Sequence, residues 1–161
     1  MYKPSRLLVV ASGTMLFLAL TASGASAGAY TETNTFHKQT DTFHDEVPCV
    51  GLGDITIVFN AVEHITENAN GQHFTFTNTG TFAATLDGGG TSSGRFTMWG
   101  GGNLNLNGES NQTFTFSGTV KSGEEAGTSW NFVSHLTGEF DPDTGEPIGD
   151  PKVAFEKFSC H

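Results

Sequence analysis

The chain has 161 residues, with 17 acidic against 7 Lys and Arg and a formal charge of −10. That balance argues against nucleic acid as a partner, because a polyphosphate needs clustered cations. The length supports a single hydrophobic core, and the 2 Cys and 6 His leave little material for a redox or metal centre.

The first segment combines a basic start (Lys3, Arg6), an apolar run over 7–20 and the small residues Ala25-Ser26-Ala27. This is the pattern of a secretory signal peptide, and the run is shorter than the ~20 residues a membrane-spanning helix needs. Cleavage is expected after Ala27. Removing 1–27 leaves 134 of the 161 residues as one secreted domain, 28–161, with no transmembrane segment and a formal charge of −12. The acids are scattered along the chain, which suits solubility better than recognition of one basic ligand.

The remaining chain alternates with period two. A first strand is expected over 36–43 in irregular register, as a bulge produces. A turn through Pro48, Cys49 and Gly51 follows. Ile55, Ile57 and Phe59 alternate with polar residues in a second strand reaching Thr66, and Asn70-Gly71 has the chemistry of a tight hairpin. Phe74, Phe76, Phe82 and Leu86 mark the inner face of a third strand, with threonines on its other face. Asp87-Gly88-Gly89-Gly90 ends it. Phe96 and Met98 belong to a fourth strand, which the run Trp99-Gly100-Gly101-Gly102-Asn103 is expected to interrupt, leaving Leu104 and Leu106 in a short fifth. Phe114, Phe116 and Val120 define the next strand, closed by Ser122-Gly123-Glu124. Trp130, Phe132 and Leu136 define the one after it, a surface turn is expected over 141–147, and the last strand spans 153–158.

About eight strands joined by short turns predict an all-β fold, a single antiparallel up-and-down β-barrel, with a two-sheet β-sandwich as the alternative. Cys49 and Cys160 provide the single intramolecular disulfide an exported chain can form. It would join the last strand to the connection after the first, as barrel closure requires.

Several stretches, among them PCVG at 48–51, DITIVFNAVEH at 54–64, GQHFTFTNTGTF at 71–82, DGGGTSSGRFTMWGGGN at 87–103 and the terminal KFSCH, resemble a group of small secreted actinobacterial all-β proteins without assigned activity. That resemblance implies export and a β fold and transfers no catalytic residue. GGGTSSGRF at 88–96 is also similar to the dirigent and allene oxide cyclase barrels, which implies an isomerase or cyclase as the enzymatic alternative.

The candidate site is the inner face. Phe59, Phe74, Phe76, Phe82, Phe96, Phe114, Phe116, Trp130 and Phe132 share the inward register and are the expected lining for a small apolar ligand. Glu63, Gln112 and Ser134 are the polar residues in that register. Glu63 is the one candidate for acid–base chemistry, since an apolar setting raises a carboxyl pKa. His73 and His135 fall in the outward register, Asp141-x-Asp143-x-Gly145 lacks the later ligands of a calcium loop, and neither cysteine has zinc-ligand spacing, so no metal or cofactor is expected. The expectation is a secreted, non-enzymatic protein that binds a small apolar ligand or a cell-surface partner. The alternatives are the cyclase type and an inert envelope protein.

Overall fold

The computed structural model describes residues 29–139, 141, 148–150 and 152–161. The expected signal peptide, and the expected surface turn apart from Asp141, lie outside them. The described chain is all-β, with strands β1 (Tyr30–Val47), β2 (Gly51–Asn68), β3 (Gly71–Leu86), β4 (Thr91–Asn105), β5 (Glu109–Gly123), β6 (Ser129–Glu139) and β7 (Lys152–Cys160). They form one antiparallel sheet in the order β1-β2-β3-β4-β5-β6-β7. Each strand pairs with its chain neighbour, as short hairpins dictate.

The bulge expected in the first strand is present as a register shift between Phe36 and Gln39, where Lys38 has a φ of 52° and its N–H donates to Asn60 Oδ1 at 3.0 Å. Ala69 and Asn70 form the β2–β3 turn, and Gly71 follows at φ 137°.

Two sequence expectations are corrected. There are seven strands in the described sheet, and Trp99–Asn103 does not break the chain: β4 runs through it, with Gly100 opposite Phe76 and Gly102 opposite Phe74. The physical reason is ring packing. A Cβ at Gly100 would lie 3.0 Å from the Phe76 ring and one at Gly102 would lie 3.1 Å from the Phe74 ring. The same device recurs where Phe82 covers Gly94 and Trp130 covers Gly118. An aromatic side chain lying over a cross-strand glycine restores the contacts the glycine lacks and lets the sheet bend tightly.

That bending brings distant strands together. Phe82 on β3 meets Trp130 on β6 with ring centroids 5.7 Å apart, and Trp130 meets Phe116 at the same distance. The ladder nevertheless ends at β1 and β7, and these two edges do not pair in the described sheet. An odd number of up-and-down strands leaves both edges running in the same direction, so direct closure would need a parallel ladder, the less stable kind. The edges are tied at one end instead, by a disulfide between Cys49, in the β1–β2 turn, and Cys160, at the end of β7, with Cα atoms 6.0 Å apart. The two separate layers of the sandwich alternative are absent among the described residues.

Candidate functional site

Ladder registers place the inward side chains in successive levels across the sheet. Next to the disulfide end, Phe43, Ile55, Ala84 and Ser92 form one level, and Val47, Cys49 and Val50 pack against the core from the β1–β2 turn. Val47 and Ser92 are almost wholly buried, so this end is sealed. The middle level is aromatic: Phe59, Gly80, Phe96, Gly118 and Trp130 lie in line. The next contains Phe36, Ala61, Asn78, Met98, Phe116, Phe132 and Phe158.

Beyond it the lining changes character. Asn34, Glu63, Phe76, Gly100, Phe114, Ser134 and Glu156 form one level, and Glu32, Ile65, Phe74, Gly102, Gln112, Leu136 and Val153 the next. The side chains of Ile65, Phe74, Gln112 and Leu136 face inward yet are only half-buried, and Tyr30 and Val153 are each 57% exposed. The inner face is therefore a cup, closed by the disulfide end and aromatic in the middle. Water reaches the lining at the opposite mouth.

All nine aromatic residues expected to line the interior lie on this face. Phe76, Phe82, Phe96, Phe114, Phe116, Trp130 and Phe132 are buried, and Phe59 and Phe74 are partly buried against them. Phe76–Phe114, Phe114–Phe132 and Phe96–Phe116 pack with centroids 6.0 to 6.3 Å apart. The middle of the cup is thus occupied by protein rings.

Glu63 is half-buried at the mouth, and burial alone pushes its carboxyl above the usual range. Neighbouring it diagonally is Asn78, which sequence reasoning passed over. Asn78 is only 4% exposed, its amide N–H donates to the Met98 sulfur at 3.9 Å, and its Oδ1 accepts no hydrogen bond. Trp130 Nε1 is likewise buried without a partner. A signal for Asn78 was present, since it stands in the phenylalanine register of FTFTNTGTF, where an apolar residue is expected.

On the outer face, threonines and serines line a shallow groove of about 460 Å³ across β4 to β7, bordered by Arg95, Thr97, Ser117, Asn131 and Ser159. His64 and His73 are on that outer face, with His64 Nδ1 and Thr33 Oγ1 2.8 Å apart. His135 Nδ1 lies 2.9 Å from Thr113 Oγ1. A further polar cluster joins the β1–β2 hairpin to the turn after β3: His44 Nδ1 is 2.7 Å from Asp54 and Nε2 is 3.5 Å from Asp87. Hydrogen bonding to Asp54, with the nearby acids, raises the His44 pKa. Among the described residues no group of three or more His, Cys, Asp or Glu side chains stands close enough to hold a metal ion. No protein-family model, curated protein or solved structure matches the chain.

Proposed function

We propose that this is a secreted, non-enzymatic binding protein that holds a small molecule with an apolar body in the mouth of its curled sheet. The observation that carries this reading is the gradient of burial along one continuous inner face. Side chains are packed out of water at the disulfide end and, as aromatic rings, in the middle, whereas inward-facing Ile65, Phe74 and Leu136 remain open to water at the mouth. Inward apolar surface left wet gains free energy when a ligand covers it, at roughly 25 cal/mol per Å². In this reading the sheet works as an incompletely closed barrel whose disulfide end is the floor. The disulfide itself suits an oxidising, extracellular setting.

One feature supports a second reading, the cyclase or isomerase type. A carboxyl raised by burial and facing an apolar cup, as Glu63 is, has the property an acid–base catalyst needs. The mouth alone would then also have to position a reacting substrate.

Titration with a neutral naphthalene dye, followed by its fluorescence, tests the binding reading. Binding should weaken by about tenfold when Gln112→Trp fills the mouth, and should be untouched by Thr97→Trp in the outer groove. Dye binding that survives Gln112→Trp and disappears with Thr97→Trp would move the site to the outer face.

A further inference from the structure

The mouth is chemically one-sided. Its inward acids are Glu32 on β1, Glu63 and Glu67 on β2 and Glu156 on β7, and no Lys, Arg or His of the described ladders occupies an inward position. An acidic rim alone would be ordinary surface chemistry. The independent observation is Asn78, one level below Glu63 and almost wholly buried, whose Oδ1 has no donor. Its amide N–H is turned toward Met98 on β4, so the oxygen on the same planar group is turned away from that contact. On the β2 side of Asn78 the directly opposed residue is Ala61, the smallest side chain of that level, and Glu63 is the diagonal neighbour. Diagonal neighbours on one sheet face are roughly 7–8 Å apart, close enough for one small group to lie between them.

The polar groups thus brought together are both acceptors: a carboxylate short of solvent and an amide oxygen short of a donor. A buried acceptor without a partner costs stability, as does a carboxylate pulled from water. Both costs fall at one place, and a single group bearing positive charge and N–H bonds would relieve both. The rings of Phe76 and Phe114, 6.3 Å apart at the same level, add aromatic faces, which attract cations.

Resting on the reading of the mouth as the binding site, we infer that its ligand is an organic ammonium: an amine-bearing amphiphile whose N–H donates to Asn78 Oδ1, whose charge pairs with Glu63, and whose apolar body lies against Phe74, Ile65 and Leu136. The neighbouring Glu32, Glu67 and Glu156 favour the same charge from the rim.

Calorimetric titration of the full secreted protein with two matched probes, 1-naphthylmethylammonium and neutral 1-naphthylmethanol, separates the claims. The ammonium should bind at least about tenfold more tightly at low salt, since one well-placed opposite charge in a partly dry site has that effect. Glu63→Gln should erase the preference by weakening ammonium binding about tenfold, toward the affinity of the alcohol. The trimethylated ammonium, which has no N–H, should bind more weakly than the primary one to the unmodified protein, and Asn78→Leu should remove that difference. Equal affinity of the unmodified protein for ammonium and alcohol would overturn the ammonium assignment and leave the mouth as an apolar site. Absence of binding by either probe would overturn both. Because the decisive comparison is between two probes on the unmodified protein, it holds even if a variant fails to fold.

Discussion

Glu63 and His44 show how one side chain can act against or for the fold according to what surrounds it. Glu63 has its pKa raised by burial, so between the unfolded value of 4.5 and the raised folded value the native state holds a proton that the unfolded state has released. Stability therefore falls as pH rises through that window. Glu63→Gln should remove this slope and raise the melting temperature at neutral pH by about 1–2 °C, read from thermal unfolding at pH 4 and pH 7. His44 gives a pH slope of the same sign from the opposite cause, since here it is the charged form that the fold favours. Its pKa is raised by the hydrogen bond to Asp54, so its contribution is complete below 6.5 and lost as pH rises through the folded value. An NMR titration of the imidazole should show a midpoint above 6.5 that returns toward it in Asp54→Asn. Neither Asn78 nor the His44 cluster was read from the chain. Asn78 is a register anomaly that becomes visible only when every second residue of the phenylalanine strand is followed, and the cluster requires knowing that His44 lies opposite Asp54 across the hairpin.

Strand by strand, the alternation of Phe with Thr was sufficient to assign inner and outer faces, because a period of two leaves no other arrangement for a half-buried strand. The glycine run of β4 was misread for an equally physical reason. Gly100-Gly101-Gly102 in isolation has no side chain to hold a strand, yet two of the three are covered by rings from β3. Counting back from the Asp87-Gly88-Gly89-Gly90 turn would have placed those rings opposite. The most sensitive of these positions is Gly118, where a Cβ would collide with the Trp130 indole. Gly118→Ala should destabilise the protein by about 1–3 kcal/mol, the usual cost of overpacking, measured by chemical denaturation. Trp130→Phe combined with Gly118→Ala should recover part of that loss, since a smaller ring leaves room for the methyl group.

At the scale of the whole molecule, the disulfide ties the two unpaired edges of the curled sheet together at one end. Cys49 and Cys160 are separated by 111 positions in sequence, and a loop of that size constrains the unfolded chain by roughly 4–5 kcal/mol in the chain-entropy account. Replacing both cysteines by serine should lower stability by up to about that amount and loosen the edges of β1 and β7, detectable as faster amide exchange along Glu32–Phe36 and Val153–Phe158. The pairing was legible from the cysteine count and the turn positions. The open seam was not, because alternation reports which face is buried and is silent on whether the last strand reaches the first. A ligand seated in the mouth is the centre of the proposed function. Amide and methyl chemical-shift mapping of the isotopically labelled protein with 1-naphthylmethanol tests this most directly. The predicted result is a set of perturbations confined to Glu63, Ile65, Phe74, Gln112 and Leu136. Shifts confined to Arg95, Thr97, Ser117 and Asn131 on the outer face, or none at saturating probe, would contradict it.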